Sequence, residues 1–198
     1  MSTVICSIAV SVDGFMAGPN QSLEKPFGDG PVDQLTRWML ETPDENSDEL
    51  KAITDAGAFV MGRNMFSPDR GAWDTDWQGW WGPNPPYHAP VFVLTHHPRE
   101  SFSMEGGTNF TFVTEGIESA LRKAKVVAGE RPVSITGGAA TINQYLAAGL
   151  IDELRLHIAP VILGSGERLF DGVPSHILEM VSSRSASLVQ HVNYRIRR

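Results

Sequence analysis

A single cysteine, Cys6, stands in 198 residues, so the chain closes no internal disulfide and assembles no multi-cysteine zinc centre. Cys6 falls in an apolar stretch, where a small buried thiol is the expected state. No apolar run approaches the roughly 18 residues that cross a bilayer. The opening segment MSTVICSIAVSVDG carries no basic leader and reads as a first strand, not a targeting signal. Cations are scarce as well: 16 Lys and Arg against 23 Asp and Glu leave a net charge of −7. Nucleic-acid binding needs clustered Lys and Arg, and the one basic group, Arg195, Arg197 and Arg198, reads as a solvated tail. Repeats, low-complexity stretches and linkers are absent from the sequence. The expectation is a soluble, cytoplasmic, single-domain protein over residues 1–198 with no nucleic-acid or membrane partner.

What is present is alternation of strand and helix. Thr3 to Val10 is a β-branched run of the buried-strand type, followed by a polar, Gly-rich loop from Asp13 to Gly30. Leu35, Trp38 and Met39 lie at helical spacing within Val32 to Leu40, and Ser47, Asp48 and Glu49 predict the capped start of a helix ending near Gly57. Strands are predicted at Ala58 to Met61, Val91 to Thr95, Phe110 to Val113 and Val133 to Thr136. Thr114 is the expected cap of a helix closed by Gly129, and Ala139 to Ala148 forms another closed by Gly149. Leu154, Leu156 and Ile158, then Val192, Tyr194 and Ile196, alternate with polar residues, which predicts half-buried strands of an antiparallel edge. Four tryptophans, Trp73, Trp77, Trp80 and Trp81, sit in a Pro- and Gly-rich stretch without period, an ordered loop or lid.

Three strand ends carry candidate chemistry. Val133 to Thr136 turns through Gly137 and Gly138 directly into the helix of Ala139, Ala140 and Thr141. Glycines there admit a ligand close to the backbone, and free N–H groups at a helix start favour a diphosphate; an ordinary tight turn is the other reading. In Val60 to Met65 a strand ends at Gly62 and Arg63, where the guanidinium reads as a phosphate contact or a surface ion pair. After Leu94, the hydroxyl of Thr95, the imidazoles of His96 and His97 and the guanidinium of Arg99 form a cluster suited to the ribose 2′-phosphate that distinguishes NADPH from NADH. Adjacent histidines on extended chain point to opposite sides, so no metal site is expected. His88, His157, His176 and His191 read as solvated or satisfied side chains.

In this order the segments SVDGFMAG, VMGRNMF, VFVLTHHP, ITGGAATINQYL and IDELRLHIAPVILGSGERLF resemble the dihydrofolate reductase-like superfamily. The resemblance is strongest to the C-terminal reductase domain of bacterial riboflavin biosynthesis. It implies an α/β fold of three layers: a mainly parallel central sheet, helices on both faces and an antiparallel C-terminal strand pair. It implies further that Ala9, Met16 and Ala17 line a nicotinamide and that Gly62, Arg63, Asn64 and Met65 hold phosphate. Leu94, Thr95 and His96 would border the adenosine, with Gly137, Gly138, Ala139, Ala140 and Thr141 around the diphosphate. The family's substrate-binding carboxylate matches Asp33, which also reads simply as an acid favoured at a helix start. A homodimer is implied too.

The chain departs from dihydrofolate reductase in its Trp- and Pro-rich insertion between Ser67 and Pro90 and in its GSGERLF segment. The insertion reads either as an aromatic wall for a planar substrate or as packing beneath a loop or at a dimer interface. No His-x-Glu with Pro-Cys-x-x-Cys occurs, which sets deamination aside. The function expected is NADPH-dependent hydride transfer to a small heterocycle, pterin or ribosylaminopyrimidine-like. The alternative is a nucleotide-binding protein of the same fold without reductase activity.

Overall fold

The computed structural model describes residues 2–197. In chain order the strands are β1 (Val4–Ser11), β2 (Phe15–Ala17), β3 (Ala58–Gly62), β4 (Pro90–Leu94), β5 (Phe102–Ser103) and β6 (Asn109–Val113). They continue with β7 (Val133–Gly137), β8 (Glu153–Ala159), β9 (Glu167–Arg168), β10 (Ile177–Ala186) and β11 (Val189–Arg197). The α-helices are α1 (Arg37–Glu41), α2 (Ser47–Thr54), α3 (Arg63–Phe66), α4 (Ile117–Ala128) and α5 (Ala139–Ala147), with a 3-10 turn at Val32–Leu35.

Among the described residues nine strands form one sheet in the order β10-β11-β8-β1-β7-β3-β4-β6-β5. The strands from β8 to β6 run parallel, β11 pairs antiparallel with β8, and β10 with β11. β2 and β9 form a separate two-stranded ribbon. The all-apolar or near-apolar runs of β3 and β7 are buried at every position, as parallel strands covered on both faces require.

One face carries the larger core, where Val4, Cys6 and Val10 of β1 meet Val60, Ile135 and Leu154. Ala120, Leu121, Ala124 and Ala128 of α4 and Ile142, Tyr145 and Leu146 of α5 cover it. Their helical spacing is why these two segments fold as amphipathic helices. Burial pushes the Cys6 thiol up to about 12, which makes it an inert packing group. On the opposite face Phe59, Met61, Val91, Val93 and Phe110 are covered by Phe66 of the short helix α3 and by the Trp-rich loop, through Tyr87, Trp73, Trp77 and Trp81. Leu35 and the fully buried Trp38 lie on that side too, over the end of the sheet carrying β1, β8 and β11.

Several local expectations are corrected. Val32 to Leu40 is split into the 3-10 turn and α1, with Thr36 outside helical geometry. The helix predicted at Ser47 begins after Asn46, whose side chain makes no cap because it is bonded elsewhere. Gly116, at φ +87, and not Thr114, occupies the cap position of α4. The alternating strands β8 and β11 do pair antiparallel as expected, and β8 is at the same time parallel to β1 on its other side. The Asp13 to Gly30 loop contains β2. Arg195 and Arg197 are strand residues facing Glu179, while Arg198 lies outside the described residues. Among the described residues no helix is long and apolar enough to cross a membrane.

Candidate functional site

The carboxyl ends of β1, β7, β3 and β4 come to one rim of the sheet, the edge at which open α/β folds take ligands. At its centre β7 passes into α5 through Gly137 and Gly138. Gly137 has φ +133, a conformation open to glycine. A Cβ there would stand 3.2 Å from Met65 Sδ and 3.7 Å from Met16 Cε, so three separately predicted segments meet at this turn. A Cβ on Gly62 would overlap the Thr141 hydroxyl, so the end of β3 seats against the first turn of α5. Above Gly138 there is open space.

No side chain caps α5. Thr141 N and Ile142 N both donate to Gly138 O at 3.1 Å, which leaves the first-turn N–H groups of Ala139 and Ala140 without helical acceptors. Orphan donors, the positive end of the helix and an unfilled glycine surface fit a diphosphate. The residues present therefore suit the dinucleotide that the resemblance implies.

On one side of this turn, Met16 and Ala17 are buried in β2, and Ala9 is half-buried on β1. β2 is clamped by β9 through Phe15 opposite Arg168 and Ala17 opposite Glu167. Gly166, at φ +129, lies so close to the Ala17 carbonyl that no side chain fits. Asp13 holds this corner: its carboxylate accepts from Ser11 Oγ at 2.6 Å, Gly164 N at 2.7 Å and Leu163 N at 3.1 Å. Those bonds, the Ser11 hydroxyl first, draw its pKa down to about 2. Asp13 is thus a tie between the first loop and the GSGERLF segment, which abuts β2.

Asp33 departs from the expectation of a shielded carboxylate. It sits exposed on the 3-10 turn and accepts from Gln34 Nε2 at 2.8 Å. The turn itself is seated beside β2, because Val32 packs against Gly18.

On the other side, Leu94 is half-buried, Thr95 buried and His96 exposed. The Thr95 hydroxyl bends back on its own loop, bonded to His97 N at 3.0 Å and His97 O at 3.2 Å. Asn64 is exposed, and Met65, half-buried, faces Gly137. Arg63 differs from the expected phosphate contact. Its guanidinium donates to Gly71 O at 2.6 Å and Ala72 O at 3.2 Å and lies 3.7 Å over the Trp73 ring, with the residue only 9% exposed. The long loop supplies these partners, which a strand-end motif does not reveal. The tryptophans also pack under that loop: Trp73 against Phe112 at 5.1 Å, Trp81 against Tyr87 at 5.1 Å, and Trp77 Nε1 on Phe66 O at 2.8 Å.

One cluster escaped the sequence reading. Ser7 Oγ, His157 Nε2 and Nδ1, His191 Nδ1 and Nε2, and Asn46 Oδ1 make a buried chain with contacts of 2.9, 2.7 and 2.9 Å. Trp38 lies 4.9 Å from the His157 ring and 5.1 Å from that of His191. Burial pushes the His157 pKa down to about 3. The two imidazoles face each other only because β11 pairs with β8 in the register His191 to His157. Polar residues at inward positions of both strands were the one available signal.

The RibD C-terminal domain family matches residues 2–191. An uncharacterized protein of Bacillus subtilis (strain 168), YyaP, is 29% identical over 192 residues, covering 93% of this chain and 89% of the relative. A protein from Shewanella sp. PV-4 assigned to riboflavin biosynthesis shares the fold with a TM-score of 0.64 and 23% identity, each chain covered in full. So does the Thermotoga maritima diaminohydroxyphosphoribosylaminopyrimidine deaminase/5-amino-6-(5-phosphoribosylamino)uracil reductase, at TM-score 0.59 and 14% identity, over 99% of this chain and 57% of that one. With its sheet order, its glycine turn into α5 and a match across nearly its whole length, the chain belongs to the RibD C-terminal domain family.

Proposed function

We propose that this protein is an NADPH-dependent reductase delivering hydride to a C=N or C=O bond of a small planar heterocycle, pterin or ribosylaminopyrimidine-like. It acts as a single cytoplasmic domain, paired as a homodimer. The observation that carries the proposal is the uncapped first turn of α5 above the open Gly138, at the rim where four parallel strands end. The reductase activity named for the Thermotoga maritima relative supports the reaction class.

In this reading the N–H groups of Ala139 and Ala140, with Gly137, Gly138 and Thr141, hold the diphosphate. Ala9, Met16 and Ala17 border the nicotinamide and keep water from that face. Gly62, Asn64 and Met65 shape the phosphate side, Arg63 by fixing the loop beside it, and Leu94, Thr95 and His96 border the adenosine. When bound, the dinucleotide supplies the hydride. Asp33, on the turn beside β2, hydrogen-bonds the acceptor ring and exchanges its proton with solvent. The exposed Ile177, Met180 and Val181 on the open edge strand β10 support self-association.

The exposure of Asp33 favours one rival, a nucleotide-binding protein of the same fold without turnover. Calorimetric titration with NADPH and with NADH comes first, followed by loss of NADPH absorbance with pterins and pyrimidines as acceptors. Saturable binding with turnover, reduced in Asp33→Asn, is the expected result. Binding without turnover across both acceptor classes selects the rival, and no binding of either dinucleotide refutes the cofactor reading.

A further inference from the structure

The buried imidazoles take no part in holding the dinucleotide or the acceptor, yet they stand beside the candidate site. β8 pairs with β1 so that His157 lies opposite Ala9, and Ser7 and Ala9 share one face of β1. His157 and His191 are only 3% and 2% exposed. From His191 the bonds run on into the segment that carries Asp33. Asn46 takes the His191 Nε2–H on its Oδ1 at 2.9 Å, while its Nδ2 gathers Thr42 O at 2.7 Å, Thr42 Oγ1 at 3.0 Å and Trp38 O at 3.3 Å. Trp38 packs on both imidazoles, and its Nε1 donates to Leu35 O at 3.1 Å. Thr36 N then closes the 3-10 turn on Asp33 O at 3.2 Å. The turn bearing Asp33 is thus held at one end by Val32 against Gly18 and at the other by the imidazole pair, through Trp38 and Asn46.

This chain of bonds is satisfied in one state of protonation. Asn46 Oδ1 also accepts from Arg184 Nη2 at 3.3 Å, so it is an acceptor and His191 Nε2 a donor. His191 Nδ1 then takes the His157 Nδ1–H at 2.7 Å, and His157 Nε2 takes the Ser7 hydroxyl at 2.9 Å. A further proton, on either ring, makes His157 Nε2 a donor toward Ser7 and sets a full charge between buried rings. The charged groups facing the pair are Glu45 and Glu49 from the α2 side, Arg184 of β10 and Arg155 of β8. All have partners of their own: Glu49 with Arg184, Glu45 with Ser187 and Arg155 with Glu153. Arg37 and Glu41 of α1 likewise pair with each other.

We infer that His157 and His191 are positioning residues: as a neutral pair they latch the segment from Val32 to Asn46, and with it Asp33, onto the sheet, and a proton taken up by the pair releases it. That Asp33 serves the acceptor rests on the reductase reading; the latch itself does not. In the released segment the rings meet water and hold a proton freely, so acid favours release. Burial keeps the latched His157 at a pKa of about 3, against about 6.5 for an open ring. Between about pH 7 and about pH 5 release therefore becomes about twentyfold more frequent.

The test is amide hydrogen exchange of the full chain, read by mass spectrometry over residues 32–46 and corrected for the chemical rate at each pH. Protection of this segment should fall about twentyfold across that range, and at both ends of it the segment should open ahead of α5. His157→Gln should remove most of the pH dependence. Thr42→Val, at a half-buried position, cuts one link of the latch and keeps both histidines. It should lower protection at neutral pH several-fold with the wild-type slope retained, and it carries the test if His157→Gln does not fold. Its NADPH affinity by calorimetry should match the wild type, while kcat/KM for a dihydropterin acceptor should fall in step with protection. Equal protection of the wild-type segment at both pH values, opening only together with α5, or a slope unmoved in folded His157→Gln overturns the inference. So does dihydropterin reduction unmoved by Thr42→Val once protection is lost. Loss of protection in acid without any dihydropterin turnover upholds the latch and counts against the reductase reading alone.

Discussion

Lowering the pH from about 7 to about 5 should remove about 2 kcal/mol of folding stability through His157 alone. The magnitude follows from the buried chain. Asn46 Nδ2 donates to Thr42 O at 2.7 Å and Trp38 O at 3.3 Å, which turns Asn46 Oδ1 toward His191 Nε2 and makes that nitrogen the donor. A neutral His191 then accepts at Nδ1 from His157 Nδ1–H, and His157 Nε2 accepts from the Ser7 hydroxyl. Every polar atom of the pair is satisfied with both rings neutral. Burial holds the His157 pKa at about 3, against about 6.5 in the unfolded chain. Between those values the folded state binds fewer protons, so the stabilisation is whole above about pH 6.5 and declines toward pH 3, by up to about 1.4 kcal/mol per pH unit. His191 shifts in the same direction, also by burial. Asp13 and Glu115 have pKa values drawn down to about 2, so the stability they contribute is lost chiefly below about pH 4.5; Glu49, bonded to Arg184 and facing His191, is drawn down too and loses stability in the same direction. The assay is urea denaturation at fixed ionic strength across the range, for wild type and His157→Gln. The variant should be weaker at neutral pH, by about 1–3 kcal/mol for the broken bonds, with a shallower pH dependence. Parallel curves would refute the neutral-pair argument.

Other outcomes follow from the same geometry. Gly138→Val meets open space at its Cβ, so it should leave the urea midpoint nearly unchanged while cutting NADPH affinity more than tenfold by calorimetry. Trp38→Ala empties a fully buried site between the 3-10 turn and the histidines and should cost about 3–5 kcal/mol in chemical denaturation. Met180→Lys places a charge on the exposed apolar stretch of β10; on the proposed self-association through that strand, analytical ultracentrifugation should give a lower mass than for the wild type, without loss of secondary structure.

The central strands and the two long helices are legible in the sequence because their causes are local. β3 and β7 are short buried runs bounded by glycine, and α4 and α5 carry apolar residues at helical spacing up to a terminating glycine. The Gly137–Gly138 turn into α5 is likewise a local statement, and the open backbone found there matches it. What stayed hidden depends on partners remote in the chain. The Val32 to Leu40 segment breaks at Thr36, at φ −117 and ψ 0, although Leu35 and Trp38 are both buried as their helical spacing predicts. Arg63 looks like a phosphate contact at a strand end, yet its direction is decided by Gly71, Ala72 and Trp73 in a loop without period. His157 and His191 are 34 positions apart and become a pair only when β11 settles beside β8 in one register. Periodicity and turn chemistry act over a few residues and therefore determine the elements and the glycine turn. Side-chain partnership is set by register and loop packing, so where the Arg63 guanidinium turns and which histidines share a proton were decided by the tertiary structure alone.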